Sequence, residues 1–233
     1  MSKAIEKKSS GLRVLMLLQN LPYPRDPRVR HEAKSIASAG YQVSVIAPST
    51  KGQTWRETSD GVNIYRFPGP PRARRSLGYL FEYGYSLLAI FVISFFIFVR
   101  NGFDIIHSHQ PPDALAFIAA FYKSLGKQFA MDHHDLSPEL YNARFRGNEN
   151  QFVIRMLVWL EKFSCRIADR VITTNQSYKQ IEMQRGHVPE HRITIVRNGP
   201  DINELYKIDP YPDLQDMNKL VIGYVGTIEY KTA

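Results

Sequence analysis

RVLMLLQNLPYPRDPRVRHEAKSIASAGYQVSVIAP, residues 13–48, contains a complete strand–helix–strand pattern. The apolar runs Arg13–Gln19 and Gln42–Pro48 have the length and composition of buried strands. Arg28–Ala39 lies between them and favours a helix, and Gly40 follows at the position where helices commonly end in glycine. Two strands joined by a helix predict parallel pairing through a right-handed crossover.

The same alternation continues along most of the chain. Further strands are expected at Val62–Phe67, Asp104–His109, Lys127–Asp132, Arg170–Thr174 and Arg192–Arg197, and further helices at Asp113–Leu125, Gln151–Ala168 and Ser177–Arg185. Strands that alternate with helices predict an α/β fold built on a doubly wound parallel sheet. Because such sheets bind ligands beyond the carboxyl ends of their strands, we expect the binding region in the loops that follow the strands.

The composition is that of a folded, basic protein. Apolar residues make up 44% of the 233 residues, and the formal net charge is +8. A positive charge suits nucleic acid, an anionic membrane or a phosphorylated ligand, but no RNA-binding motif accompanies the arginines, so nucleic acid is not expected as a partner. The single cysteine, Cys165, excludes an internal disulfide. The polar N-terminus is followed by only a short apolar run, which predicts a cytoplasmic protein without a signal peptide.

The sequence changes character near its C-terminal end. Tyr206–Lys219, YKIDPYPDLQDMNK, is polar, contains two prolines and favours a linker. Leu220–Gly226, LVIGYVG, then predicts a new strand, which cannot pair its own backbone or bury its own faces. We therefore expect residues 1–205 to form one domain, residues 206–219 a linker, and residues 220–233 the first strand of an otherwise missing domain.

Five stretches match a known family in order and spacing. They are PRDPRVRHEAKSIASAGYQVSVIAP (Pro24–Pro48), DIIHSHQPPD (Asp104–Asp113), DHHDLSPELY (Asp132–Tyr141), ADRVITTNQSYKQI (Ala168–Ile181) and ITIVRNGPD (Ile193–Asp201). Through them the chain resembles the retaining family 4 glycosyltransferases of bacteria, which have the GT-B architecture of two facing Rossmann-like domains. The resemblance implies that this chain is the Rossmann-like, N-terminal, acceptor-side half of such an enzyme, truncated before the half that binds the donor.

The resemblance also implies an activity. The intact enzyme would transfer a sugar from a nucleotide-sugar donor to a hydroxyl of a lipid-linked or saccharide acceptor, in surface polysaccharide or glycolipid assembly, without a cofactor. The chain alone is expected to be inactive. The alternative is a non-catalytic truncated module that holds an acceptor or a partner chain. One departure is the loop Asn20–Arg28, NLPYPRDPR, which lacks the paired glycines that often approach the donor phosphates in this family.

Two histidines mark the end of a predicted strand. His107 and His109 are two residues apart, so their side chains are expected on the same side of the sheet. The resemblance places a catalytic histidine at His109, near the transferred sugar. The alternative is a histidine that satisfies backbone groups at the strand end.

Asp132–Asp135, DHHD, looks at first like a metal site. These side chains alternate between the two sides of a strand, so at most two share a site, whereas zinc needs at least three protein ligands. We therefore expect no metal. Asp135 and Glu139 are instead expected to recognise the acceptor. Ser137 also suits the N-cap of a helix that has Pro138 at its first position, and the two roles are compatible.

The loop after the first strand carries a second set of candidates. Arg25 and Arg28 could meet a diphosphate with paired hydrogen bonds, with Asp26 beside them. Asp26 could equally cap the following helix, with Pro27 at its first position. Two further residues expected to bind acceptor or donor directly follow the last two strands of the domain, namely Asn175 and Asn198.

An uncharged apolar segment separates the third and fourth predicted strands. Tyr83–Val99, YGYSLLAIFVISFFIFV, would measure about 25 Å as a helix, against about 30 Å for a membrane core. A full span would place strands of one sheet on opposite sides of the bilayer. The helix is therefore expected either to be buried under the domain or to dip into one leaflet, with arginines at the headgroups. The second alternative gives peripheral contact through residues 72–100 with the inner face of the cytoplasmic membrane.

Overall fold

One mixed sheet organises the computed structural model, which describes residues 11–69, 76–199 and 223, with side chains from residue 81 onward in the helix that begins at residue 76. The strands are β1 (Arg13–Leu17), β2 (Gln42–Ser49), β3 (Arg56–Ser59), β4 (Val62–Pro68), β5 (Ile105–Gln110), β6 (Gln128–His133), β7 (Arg170–Thr173) and β8 (Ile193–Ile195). The helices are α1 (Pro27–Ser38), α2 (Ser76–Arg100), α3 (Leu115–Ser124), α4 (Ser137–Arg144), α5 (Gln151–Ile167) and α6 (Gln176–Gln184), and a 3-10 turn spans Glu190–Arg192.

The chain divides into two compact units, Met1–Asn198 and Gly199–Ala233. The first unit contains all the elements above. The linker expected at residues 206–219 and the strand expected at residues 220–226 lie outside the described residues, apart from Gly223, so both stay predictions.

The strands follow the order β3-β4-β2-β1-β5-β6-β7-β8. All neighbouring pairs are parallel except β3 and β4. β1 lies at the centre, where Leu15 pairs with Ser44 of β2 on one side and with Ile106 of β5 on the other. The predicted α/β fold with a doubly wound parallel sheet is confirmed, because the chain steps outward from β1 in one direction and then in the other.

The antiparallel edge strand β3 was not predicted from the sequence. It forms a hairpin with β4 through Asp60 and Gly61, which have φ angles of 53° and 76°. Two consecutive positive φ values are typical of the tight turns that favour Asp-Gly. A hairpin signal was therefore present in the sequence, but the four residues of β3, RETS, are all exposed and lack the apolar alternation of a half-buried strand.

Apolar side chains alternate between the two faces of the sheet. Met16, Val45 and Ile64 pack on one face with α1 residues such as Val29. Leu15, Leu17, Ile46, Phe129 and Met131 pack on the other face with residues of α2, α3 and α5. The sheet therefore carries two cores, and all its central strands are covered on both faces, as parallel sheets require.

Two helix starts test the predicted caps. The cap predicted for α1 is confirmed, because the Asp26 carboxylate accepts a hydrogen bond of 3.1 Å from the Val29 amide and Pro27 opens the helix. The cap predicted for α4 is wrong, because α4 already includes Ser137 and its N-cap position is Leu136. The Ser137 hydroxyl donates instead to the carboxylate of Asp113, which lies on the loop before α3 and offers a buried acceptor.

The apolar segment forms α2, which packs on the sheet against β2 and β4 and beside α3. Ile90, Ser94 and Ile97 face the core. Leu88 and Val99 are 63% and 70% exposed, so complete burial, one of the two alternatives, is wrong. Residues Phe81–Arg100 are long and apolar enough to cross a membrane by length and composition, and only a minority of this stretch is buried.

A buried polar network lies behind β6, on the face covered by α5. The His133 imidazole hydrogen-bonds the Glu182 carboxylate of α6, which also accepts a hydrogen bond of 2.9 Å from the Cys165 thiol of α5. At the outer edge of this network, the Arg185 guanidinium donates hydrogen bonds of 2.6 and 2.7 Å to the Glu161 carboxylate. Burial opposes a charge on His133, but the Glu182 carboxylate outweighs it and raises the pKa of His133 to about 9.

The buried pair of His133 and Glu182 predicts a pH dependence of stability. The folded pKa of His133 lies above its ordinary value of 6.5, so its contribution is complete below about pH 6.5 and is lost as the pH rises through about 9. We expect the free energy of unfolding to fall by up to about 3 kcal/mol over this range. Urea unfolding at a series of pH values measures it.

The double variant His133→Gln/Glu182→Gln should remove the part of this slope above about pH 8, because neither residue can then carry a charge; below about pH 8 the slope also includes Glu32 of α1, whose pKa is raised to about 8. His191→Gln, at an exposed position, is the matched control and should keep the slope. If the double variant keeps the slope above about pH 8, the ion pair between His133 and Glu182 is not its source.

Candidate functional site

A buried arginine on α1 joins three parts of the chain at the carboxyl edge of the sheet. The Arg28 side chain donates two hydrogen bonds of 2.7 Å to the Asp132 carboxylate at the end of β6. It donates two more, to the Val196 carbonyl at 2.7 Å and to the Asn198 side chain at 2.8 Å. Because the first helical turn follows the capped Asp26-Pro27 start, Arg28 is directed inward over the strand ends. Arg28 and Asn198 are thus brought together, in contact with each other.

Asp132 is the centre of the cluster. Besides Arg28 it contacts two histidines, with 2.8 Å to the Nε2 of His134 and 3.3 Å to the Nδ1 of His109. Burial alone would raise the pKa of Asp132, but hydrogen bonds from His109, His134 and Arg28 together lower it well below its ordinary value. Asp132 therefore stays ionised throughout the neutral range and fixes its neighbours as hydrogen-bond donors.

The two histidines of β5 lie side by side, as predicted. The ring centroids of His107 and His109 are 4.4 Å apart on the α1 side of the sheet. Burial lowers the pKa of His107 to about 3, and burial also lowers the pKa of His109. Both rings are therefore neutral at neutral pH. Nδ1 of His109 lies 3.3 Å from the Asp132 carboxylate and 3.2 Å from Nε2 of His134, whereas its Nε2 is buried and lacks a hydrogen-bond partner among the described residues.

Glu32 completes the cluster and was missed in the sequence. It lies one turn after Arg28 on α1, where an i,i+4 pair shares a helix face, and its carboxylate is 3.2 Å from the Arg28 Nε. The same carboxylate is 3.9 Å from His107 and 3.9 Å from His109. Burial, and after it the Asp132 charge, raise the pKa of Glu32 to about 8. The i,i+4 spacing was visible in the sequence, but nothing there placed β5 and β6 beneath α1.

Four of these side chains could present atoms to a metal ion. Glu32, His107, His109 and Asp132 each offer one ligand atom, and these atoms lie within 4.8 Å of one another. The Arg28 guanidinium, however, already binds both oxygens of Asp132 and faces Glu32. A metal at this position would have to displace that cation. The expectation that no metal is needed stays a prediction.

The other predicted site residues are held by separate contacts. Arg25 is exposed in the loop before α1. Asn175 caps α6 by accepting a hydrogen bond of 2.9 Å from the Tyr178 amide. Asp135 lies near the Tyr178 hydroxyl, whose pKa is raised mainly by burial and secondly by the negative charge of Asp135. Glu139 accepts two hydrogen bonds from Arg185, at 2.6 and 2.9 Å. The ligand roles expected for these residues, and for Asp26, Arg28 and Asn198, stay predictions.

Comparison with known proteins gives a consistent result. A sequence model of the Glycosyl transferase 4-like domain matches residues 26–199. Sucrose-phosphate synthase from Thermosynechococcus elongatus is 15% identical, with a TM-score of 0.63 over 84% of this chain and 50% of that chain. Arabidopsis thaliana UGT89C1 complexed with UDP is 13% identical, with a TM-score of 0.51 over 82% of this chain and 50% of that chain. The same enzyme complexed with UDP-L-rhamnose is 12% identical, with a TM-score of 0.51 over 87% and 56%.

These solved structures share the fold of the half that aligns, and the chain spans about half of their length. At such low identity they show the fold alone. In each of these proteins, the half that aligns with this chain is a Rossmann-like domain of a GT-B glycosyltransferase, which agrees with the expected fold.

The Arg28–Asp132 pair predicts a large stability effect. Asp132→Ala would leave the buried Arg28 guanidinium without its carboxylate, and breaking a buried pair in this way costs about 3–5 kcal/mol. Denaturant unfolding of the variant measures the loss. Lys34→Ala, which breaks the exposed pair between Lys34 and Asp60, is the control and should cost less than about 1 kcal/mol. Equal losses in the two variants would contradict the central role of Asp132.

Proposed function

Because the chain belongs to the Glycosyl transferase 4-like domain family, we propose that it forms the acceptor-side domain of a GT-B enzyme. This enzyme transfers a sugar from a nucleotide-sugar donor to an acceptor hydroxyl. The family match supports the transferase activity, and the relatives complexed with UDP and UDP-L-rhamnose support a nucleotide sugar as donor. The bond from the anomeric carbon to the diphosphate breaks, a bond to the acceptor oxygen forms, and the acceptor hydroxyl loses its proton.

The observation that carries the proposal is the state of His109. It is neutral, its Nδ1 contacts the ionised Asp132, and its Nε2 lacks a hydrogen-bond partner among the described residues. A neutral imidazole with a buried, unpaired Nε2 at the carboxyl edge of the sheet is suited to hydrogen-bond a sugar hydroxyl. Asp132 is placed like the orienting carboxylate of other catalytic histidines, because it lies beside Nδ1 of His109.

The finer parts of the proposal follow from the resemblance of the motifs. We propose that the transfer retains the anomeric configuration, needs no metal or other cofactor, and acts on a lipid-linked or saccharide acceptor in surface polysaccharide or glycolipid assembly. Arg25 is the arginine of the loop after β1 whose exposed guanidinium is available for a donor diphosphate. Arg28 acts on the site through Asp132.

We also propose a location at the inner face of the cytoplasmic membrane. The exposed apolar side of α2 supports it, together with Arg100 at the C-terminal end of that helix. β4 and β5, which flank α2, belong to one sheet, so the contact is peripheral. A lipid-linked acceptor would then be presented to the site from the surface on which the enzyme rests.

The proposed activity predicts a specific pair of mutant phenotypes in the complete gene product. His109→Ala should lower kcat on the order of 100-fold, because it removes one contact to the transition state, without a matching loss of thermal stability. His107→Ala, on the same face but one step deeper, should mainly lower the melting temperature. Release of nucleoside diphosphate from a panel of nucleotide sugars, in the presence of membrane lipid extract, measures the turnover.

The same assay tests the proposal as a whole. If no nucleotide sugar is consumed by the wild-type gene product, the transferase activity is wrong. If His109→Ala keeps near-normal turnover, or if its loss simply follows a lowered melting temperature, only the catalytic role of His109 is wrong. NMR of the product's anomeric proton then distinguishes retention from inversion.

A further inference from the structure

The exposed side of α2 is apolar along most of its length. Leu88, Val92 and Val99 follow one another at helical spacing and are exposed, while Ile90 and Ile97 on the opposite side are buried. A helix of a water-soluble domain normally shows polar residues on its outer side. Contiguous apolar surface of this kind marks an interaction site in a folded monomer.

The apolar surface does not end at α2. The ring of Phe91 on α2 lies 5.2 Å from that of Phe121 on α3, and Phe117, one turn earlier on α3, lies 6.2 Å from Trp159 on α5. Phe117, Phe121 and Trp159 are all exposed. Because α2, α3 and α5 cover the same face of the sheet, these contacts make one continuous surface, which we call the α2–α3–α5 face.

Helix α5 adds charge to this face. Phe152 and Trp159 are 76% and 56% exposed, and Met156 between them is exposed as well. The exposed cations of the helix, Arg155, Lys162 and Arg166, lie within roughly a third of a turn of these apolar residues. The acidic residue of α5, Glu161, is buried on the inner side, where it binds Arg185. The outer side of α5 is therefore apolar and positive, without a compensating carboxylate of its own.

We propose that the α2–α3–α5 face docks on an anionic lipid bilayer, with α5 as a second anchor beside α2. Phe152, Met156 and Trp159 enter the boundary between headgroups and acyl chains. The basic side chains of α5 meet the lipid phosphates. The inference rests on the proposed function only in identifying the docked surface as the source of a lipid-linked acceptor.

The positive charge of α5 favours an anionic lipid surface as the partner of the α2–α3–α5 face. Helices that lie in a membrane interface combine an apolar stripe, often with Trp and Phe, with Lys and Arg at its border. The chain's formal net charge of +8 adds attraction to anionic lipids, and each basic residue near such a surface is worth about 1 kcal/mol at low salt. A second copy of this chain would bring the same cations against one another.

Tryptophan fluorescence tests the contact of α5 directly. The sequence has two tryptophans, so Trp55→Phe leaves Trp159 as the sole reporter. With vesicles of phosphatidylcholine and phosphatidylglycerol, we expect its emission to shift to the blue and to be quenched by lipids brominated on the acyl chain. Vesicles of phosphatidylcholine alone, or high salt, should weaken both effects severalfold, because the electrostatic attraction is then absent or screened.

Matched variants assign the binding to side chains. Phe152→Ser/Met156→Ser should weaken co-sedimentation with the anionic vesicles about 10-fold or more, because each side chain loses apolar burial. Met183→Ser, at an exposed position on α6, is the control and should bind like the wild type. Circular dichroism checks that each variant is folded.

Three outcomes would overturn the proposal. In the first, the chain fails to sediment with anionic vesicles. In the second, it sediments but the fluorescence of Trp159 is not quenched, which means that α5 takes no part in the contact. In the third, the emission of Trp159 shifts to the blue with rising protein concentration in the absence of lipid, which means that the α2–α3–α5 face joins two copies of the chain. None of these outcomes bears on the consumption of nucleotide sugar. Conversely, a quenched Trp159 in a protein without transferase activity would support docking and contradict the proposed function.

Discussion

The buried ion pair between Arg28 and Asp132 is the interaction on which the candidate site depends. Its partners are 104 residues apart in sequence, and it fastens α1 to the end of β6 with two hydrogen bonds of 2.7 Å. A charge this deeply buried is tolerated only when it is paired. Asp132 is kept ionised and also contacts Nδ1 of His109, so the same ion pair stabilises the fold and positions a residue of the candidate site.

Most of the fold could be predicted from the sequence because its signals are local. Apolar runs, helix-ending glycines such as Gly40 and Gly126, and the Asp26 cap each depend on a few neighbouring residues, and all appear in the structure. The failures have the opposite cause. Ser137 has the residue type of a cap, but Asp113, 24 positions away, offers its hydroxyl a buried partner. The exposed strand β3 has no apolar pattern to reveal it.

The site was only partly predictable for the same reason. The position of His109 at a strand end and its shared face with His107 follow from the period of a strand. The contacts of Arg28 do not, since its side chain donates to Asp132, Val196 and Asn198, which lie at least 104 positions away in the sequence. The amphiphilic character of α2 was hidden too, because apolar residues surround the helix and only packing on the sheet distinguishes its two sides.

The single cysteine has a practical consequence for spectroscopy. Cys165 is buried, its thiol donates to Glu182, and burial raises its pKa well above the ordinary value, so the thiolate that reacts with maleimides is scarce. The native chain is therefore close to a cysteine-free background. A thiol introduced on the surface can carry a spin label or a dye at a single attachment point, and a pair of such thiols makes distances across the molecule measurable without altering its interior.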